Sequence, residues 1–197
     1  MNKVTRNDTC EHLLATGEQL CLQRGFTGMG LSELLSLAGV PKGSFYHYFR
    51  SKEAFGVALL ERYFALSNHV LRAWFADEES NPRQRILDYY ARAERTFREH
   101  GHIEGCLAVK LSAEVCDLSE EMRNAMNNGS AAVIEILTHA LQQASTKNAL
   151  RLARSPDDIA ETIYLLWLGA SLQSKMRRDS GPLANALVEI ERMLTIA

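Results

Sequence analysis

Between Thr27 and Lys52 the chain gathers groups that suit a polyanion rather than a reaction. Lys42 and Lys52 supply ammonium charges, Ser44, Tyr46 and Thr27 supply hydroxyls, and His47 adds an imidazole. Gly28 leaves a backbone N–H open to close approach. Ammonium, hydroxyl and N–H groups donate to phosphate oxygens, and hydroxyl and imidazole groups read base edges. A second kind of chemistry is centred on Cys106. It follows Gly105 where the spacing predicts a helix start, and the partial positive charge there favours a thiolate. Lys110 lies one turn on, and His100 and His102 are near in sequence, while Glu104 opposes. The other three cysteines are weaker candidates. Cys21 falls on an apolar stripe, Cys10 precedes that stripe, and Cys116 sits near a helix end beside Asp117 and close to Glu114.

These groups need rigid elements to hold them. Leu31, Leu34 and Leu35 recur at helical spacing and give Leu31 to Leu37 an apolar face. Gly39 breaks that helix with a turn geometry that costs it nothing, and Pro41 at the first helical position opens a second helix. On the second helix Phe45, Tyr48 and Phe49 turn inward and Lys42, Ser44, Tyr46 and His47 turn out. A short basic and aromatic helix braced by another is what a major groove accepts. A preceding helix runs from about Asp8 to Arg24, with Leu13, Leu14, Gly17, Leu20 and Cys21 buried and Gly25 as its stop.

Cap signals divide the remainder. Ser51 caps a fourth helix carrying Phe55, Leu59, Leu60, Tyr63, Phe64, Val70 and Trp74 on its inner side. Asn81-Pro82 opens a fifth that ends at Gly101, and residues 101–105 link to a helix starting near Cys106. Ser119, Ser155-Pro156 and Gly181-Pro182 open three more. The fold class is all-α with about nine helices. Residues 1–52 form a helix-turn-helix DNA-binding domain of three helices, and 53–197 an effector-sensing and dimerisation domain.

The string Thr27-Gly-Met-Gly-Leu-Ser-Glu-Leu34, followed by Gly39-Val-Pro-Lys-Gly-Ser-Phe-Tyr-His-Tyr-Phe-Arg-Ser-Lys-Glu-Ala54, resembles the DNA-binding head of TetR-type transcriptional regulators. Gly105-Cys-Leu-Ala-Val-Lys-Leu-Ser-Ala-Glu-Val-Cys-Asp-Leu-Ser119 and Tyr164-Leu-Leu-Trp-Leu-Gly-Ala-Ser-Leu-Gln-Ser-Lys175 are similar to the NemR-like subgroup of that family. The resemblance implies a homodimeric repressor on a palindromic double-stranded DNA operator. It implies release by a reactive electrophile or oxidant, including reactive chlorine species, and control of detoxifying enzymes. It further implies that Cys106 is the sensor and Lys175 its partner.

Charge distribution agrees with a DNA-binding head. The net charge is −2, but residues 1–52 hold six basic against four acidic side chains, and the excess acid lies beyond them. No apolar run suits a signal peptide or a membrane span, so a cytoplasmic location and reduced thiols are expected. Without a CxxC pair, HExxH, GxSxG or a Gly-rich phosphate loop, no metal, no cofactor and no enzymatic activity are expected.

An alternative keeps the DNA head and gives it a non-covalent apolar inducer, as an efflux regulator would have. Tyr63, Trp74, Tyr90, Phe97 and Trp167 could line such a pocket, or serve as plain core. Ile163, Leu165, Leu166, Trp167, Leu168, Ala170 and Leu172 almost encircle one helix, which must be covered on more than one side. With the stripe Leu183, Leu187, Ile190 and Leu194 it suits either an internal core helix or a four-helix dimer face.

Overall fold

The computed structural model describes residues 6–76, 81–101, 106–148, 150 and 152–195; the description does not extend to the side chains of residues 6, 7, 106, 147 and 148. Nine helices and no strand occur among the described residues. They are α1 (Arg6–Gly28), α2 (Leu31–Ala38), α3 (Lys42–Tyr48), α4 (Lys52–Phe75), α5 (Pro82–His100), α6 (Cys106–Leu118), α7 (Glu120–Asn148), α8 (Pro156–Arg177) and α9 (Gly181–Met193).

The cap residues set the boundaries. Ser51 Oγ accepts from Ala54 N–H, Asn81 Oδ1 from Gln84 N–H, Ser119 Oγ from Met122 N–H and Ser155 Oγ from Asp158 N–H. Gly101 closes α5 in the left-handed region. Two boundaries differ from the sequence expectation. Gly25 breaks α1 at φ 79° and ψ 173°, but helical turns resume and carry the element to Gly28. Pro41 is extended at ψ 147° and is the N-cap of α3 rather than its first helical residue.

Two compact units divide the chain. The first comprises residues 1–65 and 110–129, the second 66–109 and 130–197. The first therefore runs past residue 52 and takes in the first part of α4, most of α6 and the start of α7. Its interior contains Leu13, Leu20, Phe45, Phe55, Leu59, Leu60, Leu111 and Met122. In the second, Leu71, Ile86, Leu137, Leu141, Ile163 and Ile190 share one apolar cluster with contributions from α4, α5, α7, α8 and α9. Val70, expected on the inner side of α4, is exposed, as are Leu165 and Leu172 on α8.

Candidate nucleic-acid interface and sensor region

The turn that aims α3 is built by backbone bonds that only an open φ permits. Gly39 takes φ 62°, so Val40 N–H reaches back to Leu35 O at 3.1 Å and Gly39 N–H to Ser36 O at 3.3 Å. This is the double closure that ends a helix and redirects the chain. Ser44 N–H then bonds Pro41 O at 2.9 Å and starts α3. Its inner face is fixed by rings. Phe45 lies 5.3 Å from Phe49 and 5.6 Å from Phe55, and Phe49 meets Phe55 edge-on at 5.0 Å. Phe45 and Phe49 are buried and Tyr48 is partly buried. That anchorage leaves Lys42, Tyr46 and His47 exposed on one short helix, with Ser44 partly exposed; Tyr46 is 49% exposed although it is aromatic.

Lys52, at the start of α4, is partly buried. Its ammonium lies 4.9 Å over the Phe26 ring and donates to Thr27 O at 3.3 Å. The structure thus brings Lys52 and Thr27 together. Thr27 and Gly28 are exposed at the end of α1. The Thr27 N–H donates to Glu114 Oε1 at 2.5 Å, and Phe26 N–H donates to Glu114 Oε2 at 3.1 Å. Burial pushes the Glu114 carboxyl up. The Thr27 hydroxyl, the Thr27 and Phe26 N–H groups and the Lys52 charge outweigh burial and hold it below the usual carboxylate range. Nothing in the sequence around Glu114 marks it for this role, because its partners lie 87 and 88 residues away.

Lys110 also has a different role from the one expected. Its ammonium donates to Leu22 O at 2.6 Å, so it is committed to α1 rather than to the start of its own helix. Cys106 is the first residue of α6, as the spacing predicted; its side chain, and the neighbours His102, Glu104 and Gly105, lie outside the described residues. Lys175 stands exposed in the last turn of α8, where a cation suits the helix dipole. Of the other thiols, Cys21 is fully buried with its Sγ 3.9 Å from Met29 Sδ. Burial, with Glu114 and Glu18 adding, pushes it up to about 12 against the smaller pull of Lys52 and Lys110. Cys10 is raised by burial and by Glu11. Cys116 is partly buried.

The aromatic residues considered for a pocket separate. Tyr63 packs against Phe64 in the first unit, with ring centroids 5.0 Å apart. In the second unit Tyr90 packs on Trp167 with centroids 4.7 Å apart and planes tilted by 59°, and Trp74 meets Tyr89 at 6.0 Å. Phe97 clusters with Ala170, Leu183 and Ala186, and Trp167 packs on that cluster as well. No helix among the described residues is long and apolar enough to cross a membrane, and no group of metal-ligating side chains occurs among them.

Residues 13–59 match the model of bacterial regulatory proteins of the tetR family, and residues 82–190 match a tetracyclin repressor-like C-terminal domain. The chain is 57% identical over 194 residues to the HTH-type transcriptional repressor NemR of Escherichia coli strain K12, with 98% of each chain covered. It is 32% identical over 173 residues to the transcriptional regulator AcuR of Cereibacter sphaeroides, covering 88% of this chain and 79% of that one. The crystal structure of the reduced form of E. coli NemR superposes with a TM-score of 0.91 at 55% identity, covering 96% of this chain and 98% of that one. A helix-turn-helix with an exposed basic and aromatic second helix, followed by a helical domain, is thus matched from end to end: the chain belongs to the TetR family of bacterial transcriptional regulators.

Proposed function

We propose that this protein is a transcriptional repressor that binds a palindromic operator as a homodimer and lets go when Cys106 is oxidised or alkylated. The observation that carries the DNA-binding part is α3, whose polar face is exposed while three phenylalanine rings lock its other side. Lys42 and Lys52 meet phosphates, and Ser44, Tyr46 and His47 meet phosphates or base edges. Two-fold symmetry sets the two α3 helices about 34–36 Å apart, one turn of DNA.

The sensor part is supported by the place of Cys106 at the first residue of α6, where a thiolate is favoured. It is supported further by 57% identity to a protein named as the repressor NemR. Reaction of the thiolate with an electrophile forms a carbon–sulfur bond, and oxidation by hypochlorite transfers chlorine to sulfur. Lys175 stabilises the thiolate and can then displace chloride from the chlorinated sulfur through its deprotonated amine, leaving a sulfur–nitrogen bond. A 100-fold loss of operator affinity needs about 2.7 kcal/mol of coupling, within the range of one repacked contact. The regulated genes are then those for enzymes that consume electrophiles. The Tyr90 and Trp167 rings pack directly on each other, 4.7 Å apart and tilted by 59°, which leaves no room for an apolar inducer between those two rings.

Operator release titrated with hypochlorite or a quinone tests it. Wild type and a protein retaining only Cys106 should release, and Cys106→Ser should not. Normal release by Cys106→Ser, or none by the protein retaining only Cys106, excludes the assignment.

A further inference from the structure

The junction between α1 and α2 is held by two side chains of opposite charge from one face of α6. At φ 79° Gly25 turns the chain so that the next two N–H groups, of Phe26 and Thr27, converge on one point. Converging backbone N–H groups make a seat for an anion. The anion in it is the Glu114 carboxylate, at 3.1 Å and 2.5 Å, with the Thr27 hydroxyl as a third donor. On the other side of the break, Lys110 donates to Leu22 O at 2.6 Å. Each charge matches the backbone group it meets, cation on the carbonyl and carboxylate on the N–H groups. Lys110 and Glu114 are four residues apart, so one helical face presents both. The seat also excludes a side chain at residue 25, since a Cβ there would lie 2.7 Å from Glu114 Oε2.

The path from the junction to α3 is short and directly connected. Met29 is fully buried, α2 begins at Leu31, and the Gly39 turn passes its direction to α3. We propose that Glu114 and Lys110 are positioning residues for operator binding: they fix the α1–α2 junction and with it the α2–α3 pair, and Glu114, not a DNA phosphate, takes the Thr27 donors. The inference rests on the reading of this unit as the operator-binding head. It makes Thr27 act through Glu114 instead of touching DNA, and it is independent of Cys106.

The test uses the full chain as Glu114→Gln, Glu114→Asp, Lys110→Met, Thr27→Ala and the Glu114→Gln/Thr27→Ala pair. Operator affinity is measured across a salt series, with melting temperature alongside. Glu114→Gln and Lys110→Met are each expected to weaken operator binding about tenfold, because a charge-assisted hydrogen bond to a neutral group is lost. The salt slope should stay at the wild-type value, since no phosphate contact disappears, and melting should fall by a few degrees at most. Thr27→Ala should weaken binding alone and add nothing to Glu114→Gln, and Glu114→Asp should recover part of the loss. Tighter binding by Glu114→Gln would mean that a phosphate competes for the seat and would overturn the proposal. Unchanged affinity, or additive Thr27 and Glu114 effects, would overturn it as well. If Glu114→Gln loses its helical signal, Lys110→Met decides by the same criteria. Wild-type affinity reports on the operator reading by itself, and the ratio of variant to wild type reports on the positioning pair.

Discussion

At the scale of single residues, the outer face of α3 exposes one ammonium group, at Lys42, beside the phenol of Tyr46 and the imidazole of His47. Lys42 is exposed and projects from the first position of α3. Lys42→Ala should weaken binding alike on operator and unrelated DNA and flatten the salt slope by about one unit per half-site. Tyr46→Ala should reduce operator affinity while leaving that slope unchanged, and fluorescence anisotropy on both DNAs checks the pair. Cys21 makes the opposite kind of prediction. With its thiol pushed up to about 12 and its side chain buried, it should remain unmodified by iodoacetamide at pH 8 until the protein unfolds. Peptide mapping after native and denatured labelling would show it. Glu114 gives the sign of an acid effect. Its folded carboxyl lies below the ordinary value of 4.5, so its contribution to stability is complete above that value and drains away as pH falls through the folded value. The small melting difference between wild type and Glu114→Gln should therefore be largest near neutrality and close on acidification.

At the scale of elements, close helix approach matters more than helix propensity. A Cβ on Gly129 of α7 would sit 2.1 Å from the Phe64 ring on α4. Glycine inside a helix costs about 1 kcal/mol relative to alanine, so propensity alone favours Gly129→Ala. Overpacking against a buried ring costs about 1–3 kcal/mol and should outweigh it. Urea unfolding should place Gly129→Ala below wild type, and a gain in midpoint would mean that the Phe64 ring swings aside freely. Ring packing in the DNA-binding head explains why α3 can be only seven residues long. Phe45, Phe49 and Phe55 supply the stability that so short a helix lacks by itself.

At the scale of the whole molecule, the second unit leaves an apolar stripe without cover. Leu165, Leu172 and Met176 on α8 are 58%, 47% and 68% exposed, and Val188 on α9 is exposed too. Positions 165, 172 and 176 follow the helical repeat with Leu168 and Gly169 between them, so they form one face. On the proposed reading, a second copy of the chain laid against that face would give the two-fold partner that a palindromic operator requires. Leu165→Glu combined with Leu172→Glu should yield a monomer by light scattering, with unchanged helical content and at least 100-fold weaker operator binding. A stable dimer in that variant would place the interface elsewhere.

Local chemistry made much of this protein legible from its sequence. Caps at Ser51, Asn81, Ser119 and Ser155 bond backbone N–H groups three residues on, and Gly39 acts within its own turn. Such signals involve neighbours in sequence, so they survive without the fold. The outward set Lys42, Tyr46 and His47 followed from helical periodicity for the same reason. The tertiary structure alone decided which distant groups meet. Glu114 takes the Thr27 donors, Lys110 turns to Leu22 instead of its own helix start, and Tyr63 falls in a different compact unit from Trp74, Tyr90, Phe97 and Trp167. A charged side chain has several partners within reach of any helix face, and which one it pairs with depends on the packing of helices far apart in sequence.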